Sequence, residues 1–182
     1  MKKQLTYVSL VIGLLLAVAA FSVSAHDRDD TVRARLTGKQ EVPVVSSQAS
    51  GDFEATIGTD SISFKLSYDG IEGGAITQAH IHLGQRSVNG GVMVFLCGGP
   101  RPACPASPAT VEGTITGADI IALGAQQIPS GTTDAAGAFN ELVRALRNGT
   151  AYANVHTATS PGGEIRGQIR TDNGRHRGHD DH

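Results

Sequence analysis

From Thr31 onward the chain alternates between apolar and polar positions. In TVRARLTG, Val32, Ala34 and Leu36 share one parity, with Arg33 and Arg35 on the other. GDFEATIG repeats this through Phe53, Ala55 and Ile57, and SISFKLSYDG through Ile62, Phe64 and Leu66; TVEGTITG alternates again. A period of two over such lengths predicts strands with one face buried. GVMVFLC is continuously apolar, as a central strand requires. Gly, Asp and Pro fall between most of these runs and supply the turns. Two segments depart from the pattern. GADIIALG, residues 117–124, suits a helical turn. AFNELVRALRNG, residues 138–149, spaces Phe139, Leu142, Val143 and Leu146 as on a helix and ends on Asn148-Gly149, a stop signal. About eight short strands with one short inserted helix predict an all-β domain, an antiparallel Greek-key β-sandwich or barrel.

The polar parities of three segments carry the chemistry. In a strand, residues two apart point the same way. Gln78, His80 and His82 therefore share a face, opposite Ala79, Ile81 and Leu83. Tyr152, Asn154 and His156 share another, opposite Ala151, Ala153 and Val155. After the turn residues TSPGG, Glu164, Arg166 and Gln168 line up opposite Ile165 and Ile169. If the three strands are neighbours, His80, His82 and His156 converge. Three neutral imidazoles are good ligands for copper or zinc, and a three-His set leaves a position open for water or substrate. The competing reading is a polar network without metal, in which Glu164 orients a histidine and Arg166 pairs with Glu164. Asn154, Glu164 and Arg166 are the expected supporting residues in either case.

Composition narrows the setting. Lys2 and Lys3 precede an apolar run, residues 7–23, and Val23-Ser24-Ala25 reads as a cleavage site, so residues 1–25 are expected to be a secretory signal peptide. The run is short for a membrane span, and no second span follows it. Without Lys2 and Lys3, the 15 Lys+Arg fall to 13 against 17 Asp+Glu, a formal charge of −4. Mild acidity with no basic stripe argues against nucleic acid. The expected layout is a flexible segment at 26–30, a β domain at 31–171 and a disordered His/Asp-rich tail at 172–182. Cys97 and Cys104 are the only cysteines. In an exported protein they are expected to form a disulfide that pins a Gly/Pro-rich loop. The predicted location is secreted or periplasmic.

Three blocks, GKQEVPVVSSQASGDFEATI, AHIHLG followed by NGGVMVFL, and AYANVHTATSPGGEIRGQI, resemble the chordin-domain (CHRD) family across residues 31–170. The recurring positions include Glu41, Val42, Pro43, His80, His82, Asn154, His156, Gly163, Glu164 and Arg166. The resemblance implies an extracellular module. A second similarity, to copper/zinc superoxide dismutases, would give His80, His82 and His156 copper-ligand roles and Arg166 an anion-guiding one. The chain departs from that pattern in having no bridging histidine and no zinc cluster.

These readings leave two functions from different classes. One is a non-enzymatic extracytoplasmic binding or interaction module with a protein partner. The other is a copper-binding or redox protein built on the three histidines, in which the partner is a metal ion. Whether the chain is an enzyme stays open. No G-x-S-x-G elbow is present, and Glu164 is the only carboxylate within the His/Arg cluster, which gives little support to hydrolysis.

Overall fold

A computed structural model describes residues 30–172. The expected signal peptide at 1–25, and most of the segments 26–30 and 172–182, lie outside the described residues. The strands are β1 (Asp30–Thr37), β2 (Ser50–Ile57), β3 (Ser61–Asp69), β4 (Ile76–Leu83), β5 (Gly91–Cys97), β6 (Ala109–Thr116), β7 (Ala151–Thr157), β8 (Ile165–Gln168) and the short β9 (Arg170–Thr171). One helix, α1 (Ala135–Arg147), interrupts them between β6 and β7.

The hydrogen-bonded order is β5-β4-β7-β8-β1-β2-β3-β6, with β9 pairing β1. Every ladder is antiparallel. β6 returns beside β5 without a ladder between them, so the sheet is a nearly closed barrel. Two crossovers, β3 to β4 and β6 to β7, carry the chain past a neighbour and make the order a Greek key. Closure leaves little free strand edge.

The apolar parities read from the sequence fill the interior. Val32, Leu36, Ile62, Leu66, Ile81, Val155 and Ile165 are wholly buried there. The predicted helix is present but begins at Ala135 instead of 138, because the Asp134 side chain caps it by accepting the Gly137 N–H at 2.8 Å. It ends where expected: Asn148 caps it and Gly149 follows at φ 67°. Residues 117–124 form no single helical turn. Short 3-10 turns at Gly117–Asp119 and Gly124–Gln126 flank a stretch whose Ile121 N–H donates to the Met93 carbonyl at 2.9 Å, laying it against β5. A side chain at Gly117 would meet the Ala135 carbonyl oxygen at 2.0 Å, so this approach of turn to helix requires glycine. Cys97 and Cys104 are bonded, with Cα atoms 5.0 Å apart. Gly98 and Gly99 (φ 72° and 57°) turn the loop back between them.

Candidate functional site

β4, β7 and β8 lie side by side, and their polar parities meet on the outer wall of the barrel. Register sets the neighbours: His80 faces Asn154, His82 faces Tyr152, and Gln78 faces His156. Asn154 in turn faces Arg166, and Tyr152 faces Gln168. His156 therefore reaches His80 across a diagonal. The β4–β5 ladder shifts register between Ala79 and His80 and again between Ile81 and His82. These irregularities sit where the histidines must be aimed, a common use of bulges.

The sequence placed this stripe on the face away from the core, and that much holds, yet the stripe is not solvent-facing. His80 and His82 are 4% and 7% exposed, Asn154 2%, and Arg166 1%. Two loops roof it. Residues 38–49 and 84–90 meet through Asn89, whose amide donates to the Val42 carbonyl at 2.9 Å. His156 is half-buried and sits at the opening of the cluster.

The ring contacts fix the protons. A carbonyl only accepts, so His82 Nδ1 donates to Gly90 (3.0 Å) and His156 Nδ1 donates to Pro161 (2.9 Å). Each neutral ring then keeps a lone pair on Nε2. His80 Nδ1 lies 3.1 Å from His156 Nε2 and, between neutral rings, must be the donor of that pair. His80 Nε2 and His82 Nε2 are buried with no hydrogen-bond partner. Asn154 Oδ1 is 2.9 Å from the same His156 Nε2, which already accepts from His80 Nδ1. Two acceptors in contact repel, and a cation at Nε2 or a turned amide relieves this. One nitrogen from each ring lies within 4.8 Å of the others. Among the described residues this is the one group of three such ligands.

Burial keeps the rings uncharged. It lowers His80 to about 3, helped by the nearby His156 and His82, and lowers His82 to about 4 against the pull of the Gly90 carbonyl. His156 is also lowered, by burial. His82 stacks on Tyr152 with centroids 4.7 Å apart. The Arg166 guanidinium lies 3.4 Å over that same phenol ring.

The expected supporting residues divide. Asn154 touches the cluster. Glu164 does not orient a histidine and does not pair with Arg166, contrary to the network reading. Its carboxylate accepts from Ser47, from the Glu72 and Gly73 N–H groups (each 2.8 Å) and from Thr157 (3.0 Å). Burial would raise its pKa, but these four donors outweigh it and hold Glu164 below the usual carboxylate range. It lies beyond the end of the histidine stripe and ties three loops together. A Cβ at Gly73 would meet Thr157 Oγ1 at 2.0 Å and Glu164 Oε2 at 2.3 Å, so glycine is required at this socket. Arg166 instead donates to Asn89 Oδ1 (3.2 Å) and to the carbonyls of Gln85 (3.1 Å) and Val88 (2.9 Å), bracing the roof.

Glu41 was given no role by sequence reasoning. It is 5% exposed, sits beside Asn154 and the bare backbone of Gly163, and has an unpartnered Oε1. Burial raises it to about 7 despite Arg166 nearby. Its place in GKQEVP, far from the strands it meets, carries no local pattern. Only the resemblance marked it.

The family model for the CHRD domain matches residues 32–169. Compared with curated proteins and with solved structures, the chain matches none. No helix among the described residues is long and apolar enough to cross a membrane. The chain belongs to the CHRD domain family, a domain found in extracellular proteins.

Proposed function

We propose that this chain is an exported binding module whose ligand is a single transition-metal ion, copper ahead of zinc, held by His80, His82 and His156. The observation that carries the reading is the set of three uncharged rings with ligand nitrogens within 4.8 Å and two buried nitrogens that lack partners. An unsatisfied buried polar atom costs about 1–3 kcal/mol, and a Lewis acid removes that cost. The Nδ1 bonds to Gly90 and Pro161 support the same reading, since metal-bound imidazoles are oriented by a carbonyl on the other nitrogen. Divalent copper heads the affinity order for imidazole sites. A single cluster supports binding one ion in preference to two-metal chemistry. The N-terminal apolar run and the cysteine pair support export.

The test is calorimetric titration of the mature chain with Cu(II), and with Cu(I) under reducing-metal conditions. The expected result is one tight equivalent, lost in His80→Ala/His82→Ala/His156→Ala and kept when His176, His179 and His182 are replaced by Ala. Binding that follows the tail histidines, or that survives in the cluster variant, refutes the proposal. Near-ultraviolet circular dichroism checks that the cluster variant is folded.

A further inference from the structure

The Asn154 side chain lies across the β4–β7 ladder from His80 and is buried. Its amide stands between two acceptors and has only one donor end. On one side is His156 Nε2, 2.9 Å from Asn154 Oδ1. On the other is Glu41. Glu41 Oε1 and Asn154 Nδ2 both crowd the bare Gly163, 2.4 and 2.8 Å from where its Cβ would stand. That carboxylate oxygen is buried with no hydrogen-bond partner. The electrostatics follow the same division. Asn154 opposes burial at His82, as an acceptor does, and opposes it at Glu41, as a donor does.

Turning the amide therefore relieves nothing. It would move the repulsion from His156 Nε2 to an ionised carboxylate, where the negative charge makes it stronger. Glu41 holds the Nδ2 end, and Oδ1 stays on the histidine side. There it adds a lone pair to those of the imidazoles. Ligand atoms each about 2.0–2.1 Å from one ion stand about 2.8–3.4 Å apart. The 2.9 Å between Oδ1 and His156 Nε2 falls in that span.

We propose that Asn154 Oδ1 is the fourth protein ligand of the ion held by the three histidines, and that Glu41 is the positioning residue that aims it. The proposal rests on the three-histidine metal reading and deepens it. Four protein ligands make a closed site, which holds an ion, whereas three leave a position for water or substrate. An amide oxygen is also a harder donor than imidazole, which turns the set away from Cu(I) and toward a divalent ion.

Azide tests the closure. It is added to the mature chain loaded with one equivalent of Cu(II), at about pH 8 so that carboxylates are ionised, and the azide-to-copper charge-transfer band is followed. The wild type should show no band, a result that needs no variant. Asn154→Ala should show one, and in calorimetry should hold Cu(II) more weakly by about 10-fold or more. Asn154→Asp keeps an oxygen at the position and should again exclude azide, a rescue that a merely structural amide would not give. Glu41→Ala should admit azide in part and should add nothing in the Asn154→Ala background, because it acts through that amide. The proposal is overturned if azide binds the wild type as readily as Asn154→Ala, if the two hold Cu(II) equally, or if the Glu41→Ala effect is undiminished in Asn154→Ala. In each of those cases Cu(II) still binds and the three-histidine reading stands. If the wild type takes up no Cu(II), both readings fall.

Discussion

The wall formed by β1, β2, β3 and β6 and the wall formed by β4, β7 and β8 share one apolar interior but differ in what covers their outer faces. On the first wall, burial alternates in β2, with Asp52, Glu54 and Thr56 exposed between buried neighbours. The outward residues there form ion pairs in water, such as Arg35–Asp52 with side chains 59% and 61% exposed. On the second wall the outward residues of β8 are as buried as the inward ones. The difference lies in the connections. The β1–β2 and β4–β5 loops fold back over the second wall, while among the described residues no loop comparably covers the first. Alternation in sequence therefore reports which residues avoid the core, but it does not report which of them reach solvent. The outer residues of the covered wall must satisfy each other, and they are mostly neutral side chains with fixed partners.

The largest effect separating the walls should come from deleting a carboxylate on each. Glu164→Ala leaves two backbone N–H groups and two hydroxyls without their acceptor and should cost about 3–4 kcal/mol in urea denaturation. Asp52→Ala, on the open wall, should cost below about 1 kcal/mol. If the two variants lose equal stability, the covered wall is not held by its polar contacts.

Metal should separate the walls next. A ligand that binds only the folded chain stabilises it by about 2.7 kcal/mol at 100 times its dissociation constant. Cu(II) at that excess should raise the denaturation midpoint of the wild type and of Asp52→Ala alike, and should leave His156→Ala where it was. A shift that persists in His156→Ala would assign the ion to another part of the chain.

Acid should act mainly on the covered wall. The buried His80 and His82 hold folded values near 3 and 4 against an ordinary 6.5. The unfolded chain therefore binds more protons below 6.5, and the stability these rings contribute is lost as pH falls from about 6.5 toward 3. Glu41 works in the opposite sense. Its folded value near 7 exceeds the ordinary 4.5, so its contribution is present below about 4.5 and lost as pH rises through 7. The wild type should thus soften its own acid response between pH 4.5 and 7. Glu41→Gln should remove that compensation and steepen the loss of stability over this window. Denaturation midpoints of the metal-free proteins across pH 4 to 8 measure it, and parallel curves would mean that Glu41 does not titrate with folding.

The strands, the helix with its Asn148-Gly149 stop, and the grouping of His80, His82, Asn154 and His156 were legible because each rests on local periodicity. Two apolar parities flanking a polar one suffice to place side chains on a face. The roof was not legible. Whether residues 38–49 and 84–90 cover a wall depends on long-range contacts such as Asn89 to Val42, which leave no period in the sequence. The same gap explains Glu41, which reaches the site from a loop, and Glu164, whose partners Ser47, Glu72 and Gly73 come from two separate loops. The pairing of Glu164 with Arg166 looked natural at a spacing of two on one strand. The roof carbonyls of Gln85 and Val88 took the guanidinium instead.

The smallest effect belongs to the open wall and sharpens the contrast from its other side. Lys65 and Glu112 face each other across the β3–β6 ladder, with N···O 3.4 Å and side chains 60% and 65% exposed. Directly opposed charges on a solvated face screen each other only weakly from water, and the two side chains give up rotamer freedom to meet. A double-mutant cycle to Ala should therefore return a coupling of about 0.2–1 kcal/mol. That coupling should shrink toward zero in about 1 M salt, where the screening length is about 3 Å. The cost of Glu164→Ala should be nearly insensitive to the same salt, because its donors are fixed dipoles and hydroxyls enclosed by loops. If the Lys65–Glu112 coupling instead matched the Glu164 cost and resisted salt, coverage by loops would not be what distinguishes the two walls.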